Sequence, residues 1–266
     1  MIVWLVMVYF GLIPVPESPV VVGDCAAVQG TRGSVMCPVP AGTVTLCDHQ
    51  MDKNCSVVDV KPFLLDRLEV SVEEFAACVE AGKCLAEGFR RVTDSEFCNY
   101  QAMGRSNHPM NCVHYRTARN YCSFAGKRLP TRAEWIRAAS GDDERTYPWG
   151  SEKPDCERAN YHDIKGRGCG LNMTRPVDSM ALGRSAFGPL NMAGNVQEWT
   201  ATLSWACDSE NKSKEEIQAD DEAMRHSEGG SFADDERLLR NTYVTIDEQG
   251  AMHIGLGIRC ARSESE

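Results

Sequence analysis

The loop Asn191-Met192-Ala193-Gly194-Asn195-Val196-Gln197-Glu198 places two oxygen-bearing side chains, Asn191 and Glu198, around a glycine and several backbone carbonyls. Hard oxygen donors of this kind suit calcium, and a single carboxylate limits the affinity to the modest range suited to extracellular calcium. The competing reading has Asn191 and Glu198 hydrogen-bonding their own loop. Asp234-Asp235-Glu236 could form a general-base cluster, although three adjacent acids more commonly form a solvated charge run. The six histidines, His49, His108, His114, His162, His226 and His253, show no tight grouping. Any iron centre would therefore need a 2-His-1-carboxylate set assembled from distant segments.

Thirteen cysteines in 266 residues exceed ordinary cytosolic usage and point to an oxidising compartment. They are not arranged as C-x-x-C pairs, which argues for disulfides over zinc. Spacing alone proposes the short-loop pairs Cys78 with Cys84 and Cys98 with Cys112. Cys25, Cys37, Cys47, Cys55 and Cys207 stay unassigned, and the odd total leaves at least one cysteine outside intrachain pairing.

The elements that must position these groups sit behind an apolar leader. Residues 1–20 contain the run Ile2 to Phe10, of signal-peptide length and short for a membrane span, although the first basic residue is Arg32. Export to the periplasm, the cell surface or the medium is the expectation. Val22-Gly23-Asp24-Cys25 offers a weaker lipoprotein alternative, because Asp24 stands where a small residue is wanted. Any membrane anchoring would run through this N-terminus. Twenty-eight Lys and Arg against 38 Asp and Glu give a net charge of -10, which excludes a nucleic-acid partner and an anionic lipid surface.

Ser71 and Glu74 form a capping box that opens a first helix, with Phe75, Cys78 and Val79 along one face and Gly82 after it. A second helix is predicted from about Thr117 through Phe124, with Gly126 ending it. Thr131 and Glu134 repeat the capping box for a third, which turns Trp135, Ala138 and Ala139 inward. Arg128-Leu129-Pro130-Thr131 reads as its entrance, with Leu129 and Trp135 packing as a staple. Gly42 to Leu46 and Val57 to Val60 read as strands. Tyr147-Pro148-Trp149-Gly150 reads as a rigid aromatic turn, after which the chain is turn-rich until Gly255 to Cys260. Asp208 to Glu228 reads as a solvated insertion.

Arg128-Leu129-Pro130-Thr131-Arg132-Ala133-Glu134-Trp135, Tyr147 to Gly150, Gly194-Asn195-Val196-Gln197-Glu198-Trp199, Gly230-Ser231-Phe232 and Gly257-Ile258-Arg259-Cys260-Ala261 together resemble the formylglycine-generating enzyme, or sulfatase-modifying factor, family. The resemblance covers residues 36–262. It implies one α+β domain, C-type-lectin-like, low in regular secondary structure and stabilised by disulfides. It also implies a calcium site at Asn191, Gly194, Val196 and Glu198, the middle two acting through carbonyls, and pairs Cys122 with Cys260. A second, weaker calcium site would begin at Asn160 and Tyr161. Its following loop is shortened to His162 through Thr174, where a bridge from Cys156 to Cys169 takes the ion's place as a clamp.

The family's two copper-binding cysteines correspond to Asp234 and Leu239. A carboxylate is a hard ligand and leucine is none, so calcium is the expected cofactor and copper is not. This departure from the family pattern points to a non-catalytic, calcium-stabilised binding module that holds a peptide, glycan or protein partner near Ser231 to Arg240. The alternative is a sulfatase-modifying-type oxidoreductase with a rearranged metal site, or one that uses a thiol such as Cys207.

Overall fold

The computed structural model describes residues 25–47, 55–91, 93–204 and 222–264. The leader, Asp24 and Cys207 lie outside these residues. The architecture is a mixed α+β domain. Its first sheet orders β1 (Met36–Val39), β4 (Phe63–Asp66) and β9 (Ala261–Ser263) with β4 central and both neighbours antiparallel to it. The hairpin of β2 (Gly42–Cys47) and β3 (Cys55–Val60) stands apart as a second sheet. A four-stranded sheet runs β7 (Val244–Glu248), β6 (Met224–Glu228), β5 (Gln197–Leu203) and β8 (Leu256–Gly257), with only the β5–β8 pair parallel.

Helix α1 (Val72–Glu80) begins at the expected capping box: the Ser71 side chain accepts from the Glu74 amide, and the Glu74 carboxylate accepts from the Ser71 amide. Helix α3 (Arg132–Ser140) repeats this with Thr131 and Glu134, and Gly141 ends it. Helix α2 (Tyr115–Phe124) starts two residues before the predicted Thr117. His114 Nδ1 caps it by accepting from the Thr117 amide, a role that sequence patterns assign to Ser, Thr, Asp or Asn.

Two packed clusters form most of the core. In one, Phe75 on α1 meets Phe89 edge-on at 5.2 Å and stacks on Tyr121 of α2 at 5.8 Å, with Trp199 and Ile258 in the same cluster. The other gathers Trp135 and Ile136 of α3 against Val44, Phe63, Leu65 and Phe187. Leu129 joins the first cluster and Trp135 the second, so the expected staple does not form. Burying each large apolar side chain contributes about 1.5 to 3 kcal/mol. Tyr147 and Trp149 stack at 5.3 Å within a turn closed by reciprocal Tyr147 and Gly150 backbone bonds, as expected.

The stretch beyond Gly150 departs from its turn-rich reading, because β5, β6 and β7 all lie there. Strand β6 reads Met-Arg-His-Ser-Glu and has no apolar alternation, yet Arg225 through Glu228 are buried. The solvated insertion therefore stops before Met224, and residues 205–221 lie outside the described residues. Gly255 to Cys260 is not one strand but contains β8 and then irregular chain before β9.

Six disulfides are present: Cys25–Cys37, Cys47–Cys55, Cys78–Cys84, Cys98–Cys112, Cys122–Cys260 and Cys156–Cys169. The four expected pairs form, and four of the unassigned cysteines supply the other two. The Cys25 sulfur is thus committed to Cys37, which removes the lipoprotein alternative at that position.

Candidate functional site

The segment from Gly229 to Arg240 follows β6 and leads into β7. Gly229 and Gly230 have φ of 95° and 66°, and a side chain on Gly230 would come within 2.9 Å of the Leu238 carbonyl oxygen. Only glycine turns the chain so tightly there. Asp234 Oδ2 accepts from the Ser231 hydroxyl at 2.6 Å and from the Ser231 amide at 2.9 Å, so its carboxylate holds the turn in shape. Leu239 is fully buried among Tyr147, Ala159, Tyr161 and Ala193. The two positions expected to replace a thiol pair are therefore a turn clamp and a core residue. Of the neighbouring acids, Asp235 is bound by Arg237 at 2.7 Å, and that guanidinium holds its carboxyl below the usual range.

The loop after Asn160 is pinned to this segment. The His162 amide donates to the Asp234 carbonyl at 2.8 Å and the Gly168 amide to the Phe232 carbonyl at 2.7 Å. The Cys169 amide donates to the Tyr161 carbonyl at 2.8 Å, so the disulfide loop is tied to one of the two residues at which the second calcium site is expected to begin. Cys156, Asp163 and Cys169 bring potential ligand atoms within 4.8 Å of one another, but both sulfurs are joined to each other.

The two expected calcium regions touch. The Asn195 amide donates to the Asn160 carbonyl at 2.7 Å, and Gly194, with φ of 78°, packs so closely that a Cβ would lie 2.5 Å from that same oxygen. Asn191 Oδ1 and Asn160 Oδ1 are buried acceptors without a hydrogen-bond partner, which is unusual for buried oxygens and fits a cation. Glu198 fits less simply. Its oxygens accept from Arg259 at 2.7 and 2.9 Å and from Trp135 Nε1 at 2.6 Å, all within the core.

Glu69, which no local pattern singled out, lies beside Asn191. Its carboxylate accepts from Asn191 Nδ2 at 2.8 Å, Asn195 Nδ2 at 2.9 Å and the Val196 amide at 3.3 Å. Among the described residues no cationic side chain bonds it directly, and burial pushes its carboxyl up to about 8 against the opposing pull of Arg259. The one sequence hint is an acid set between Leu68 and Val70. Two further buried pairs were equally unmarked: Lys127 with Asp66 at 2.5 Å and Arg132 with Glu228 at 3.0 Å.

A cleft of about 530 Å³ is lined by Arg237 and Arg240 of the Gly229–Arg240 segment, by Tyr243 and Val244, by Val44 and Thr45 of β2 and by Ile136 of α3.

The family described as Sulfatase-modifying factor enzyme 1-like domain matches residues 24–264. The chain is 29% identical, over an alignment of 286 residues, to the formylglycine-generating enzyme of Thermomonospora curvata, covering 85% of this chain and 92% of that one. It is 32% identical over 166 residues to the hercynine oxygenase of Mycobacterium tuberculosis, covering 59% of this chain and 37% of the relative. PvdO from Pseudomonas aeruginosa shares the fold with a TM-score of 0.65 and 23% identity, over 86% of this chain and 94% of that one.

Proposed function

Because this chain belongs to the Sulfatase-modifying factor enzyme 1-like family, we propose that it is an exported member whose groove near Ser231 to Arg240 binds a peptide, glycan or protein partner without copper chemistry. The observation that carries this reading is the pair Asp234 and Leu239. The first spends its carboxylate on Ser231, and the second lies buried in an apolar cluster. Neither can act as the soft donor that copper(I) requires. Twelve of the thirteen cysteines are in disulfides, which leaves only Cys207 for thiol chemistry.

Six disulfides suit an oxidising compartment and support export. Among the described residues no helix is long and apolar enough to cross a membrane. Calcium is the proposed structural ion. Asn191 Oδ1, the Gly194 and Val196 carbonyls and Glu198 would hold it, with Glu198 exchanging one of its present hydrogen bonds for the metal, and Asn160 with Tyr161 would form a weaker second site. When bound, the ion would tie the Asn191–Glu198 loop to β5, and its charge would favour the ionised form of the Glu69 carboxyl, which burial otherwise raises to about 8.

The second reading, a sulfatase-modifying-type oxidation through a rearranged centre, draws on the enzyme names of the relatives and on Cys207. The deciding experiment incubates the purified protein with copper(I), oxygen and a cysteine-containing peptide and follows the peptide mass. An unchanged peptide is expected. Conversion of the cysteine to an aldehyde sinks the binding reading.

A further inference from the structure

The cleft lies between two strands that each have a free side. Strand β2 pairs only with β3, and β7 only with β6, among the described residues. Cys47 and Cys55 face each other with Cα atoms 4.0 Å apart, the close spacing of a non-hydrogen-bonded antiparallel pair. The backbone groups of Cys47 therefore point away from β3, and its carbonyl indeed accepts from Arg132 at 3.3 Å. By the two-residue alternation of the ladder, the N–H and C=O of Thr45 point the same way, along the edge that borders the cleft.

The walls add side-chain chemistry to that open edge. Val44, Ile136 and Val244 are buried apolar residues at the base of the cleft. Two arginines line it and one carboxylate, Glu144, is held by the Thr45 hydroxyl at 3.1 Å. Arg237 and Asp235 offset each other, and exposed Arg240 is the slot's arginine without an ion pair among the described residues.

An open strand edge, an apolar base and an uncommitted guanidinium match an extended chain that adds main-chain bonds, alternate side chains and one negative charge. Building on the proposed binding role of this groove, we propose that an extended peptide segment carrying an aspartate or glutamate adds alongside β2, with its carboxylate taken by Arg240. A neutral glycan would leave the charge unused.

The test uses the full purified chain and two labelled decapeptides of alternating threonine and valine, one with a central aspartate and the other with a lysine in its place. The aspartate peptide should bind at least tenfold more tightly by fluorescence anisotropy, and Arg240→Glu should reverse the order. Hydrogen exchange should slow across Gly42–Cys47 when the aspartate peptide binds, a readout that needs no variant. Equal affinities, a preference unaltered by Arg240→Glu, or protection confined to other segments would overturn the proposal. Protection by neutral or acidic oligosaccharides and by neither peptide overturns it too, yet leaves the wider binding role standing. Aldehyde formation on a cysteinyl peptide instead removes that wider role.

Discussion

Trp135 Nε1 donates to Glu198 Oε2 at 2.6 Å, so α3 completes a carboxylate that Arg259 already grips from the chain end. All three residues are fully buried, and each belongs to a separate sequence motif more than sixty positions from the next. Removing one partner strands the other charge in the core, at a cost of about 3 to 5 kcal/mol. Arg259→Met should lower the unfolding free energy by that amount in urea titrations at pH 7. The double variant Arg259→Met with Glu198→Gln should recover part of the loss, and strict additivity would show that the pair does not interact.

Glu69 gives the fold a pH dependence. Its carboxyl is raised from 4.5 to about 8, chiefly by burial, so the folded state holds the proton more tightly than the unfolded chain. Its contribution is fully present below pH 4.5 and is lost as pH rises through 8. At about 1.4 kcal/mol per pKa unit the span is roughly 3 to 5 kcal/mol. In EDTA, Glu69→Gln should therefore be more stable than the parent at pH 9 and should reduce the slope between pH 5 and 9, a slope shared with Asp66 and Glu228, whose carboxyls burial raises to about 7 and about 8. A profile that keeps its slope in the variant assigns the titration to another group.

Calcium should raise the unfolding midpoint. With an affinity in the extracellular range of about 0.1 to 1 mM, 10 mM calcium adds roughly 1 to 3 kcal/mol. Asn191→Ala should abolish the increment, because Asn191 Oδ1 is a buried acceptor left without a partner among the described residues and belongs to the proposed ligand set. Calorimetry with and without EDTA reads this directly, and an equal shift in the variant places the ion elsewhere.

Gly194→Ala tests the junction between the Asn160 and Asn191 loops. A methyl group there meets the Asn160 carbonyl at 2.5 Å on backbone with φ of 78°. Strain of this kind costs about 1 to 3 kcal/mol. The variant should unfold earlier in urea and bind calcium more weakly, whereas a silent substitution would mean that the two loops separate freely.

Among the cross-links, Cys122–Cys260 spans 138 positions and Cys156–Cys169 only 13. Loop-closure entropy predicts that the first contributes about 5 kcal/mol and the second about 3. Serine pairs at each site, compared by urea unfolding, should follow that order. A thiol titration of the denatured, non-reduced protein should find one reactive group.

The helices were legible because their start signals are local. Ser71 with Glu74 and Thr131 with Glu134 fix the first turn through neighbours three residues away. The start of α2 was missed because a histidine performs the same task. Strand β6 was illegible for a different reason: Arg225 and Glu228 are charged residues whose burial depends on groups far along the chain, such as Arg132 for Glu228. Periodicity cannot register a polar residue that is buried because it is paired. In the candidate site, the assignment of Asp234 and Leu239 to the places of a thiol pair rests on motif position. The role of Asp234 as a clamp on Ser231, and the presence of Glu69 beside Asn191, depend on three-dimensional closure.

Strands β1 and β9 flank β4 in one sheet, and Arg262 Nη1 donates to the Gln29 carbonyl at 2.7 Å. The opening and closing stretches of the domain therefore emerge side by side. Such a domain can be spliced into a surface loop of a host protein, or have its ends sewn together and reopened elsewhere, with little distortion of either partner. Its groove could then be presented at a fixed distance from whatever carries it.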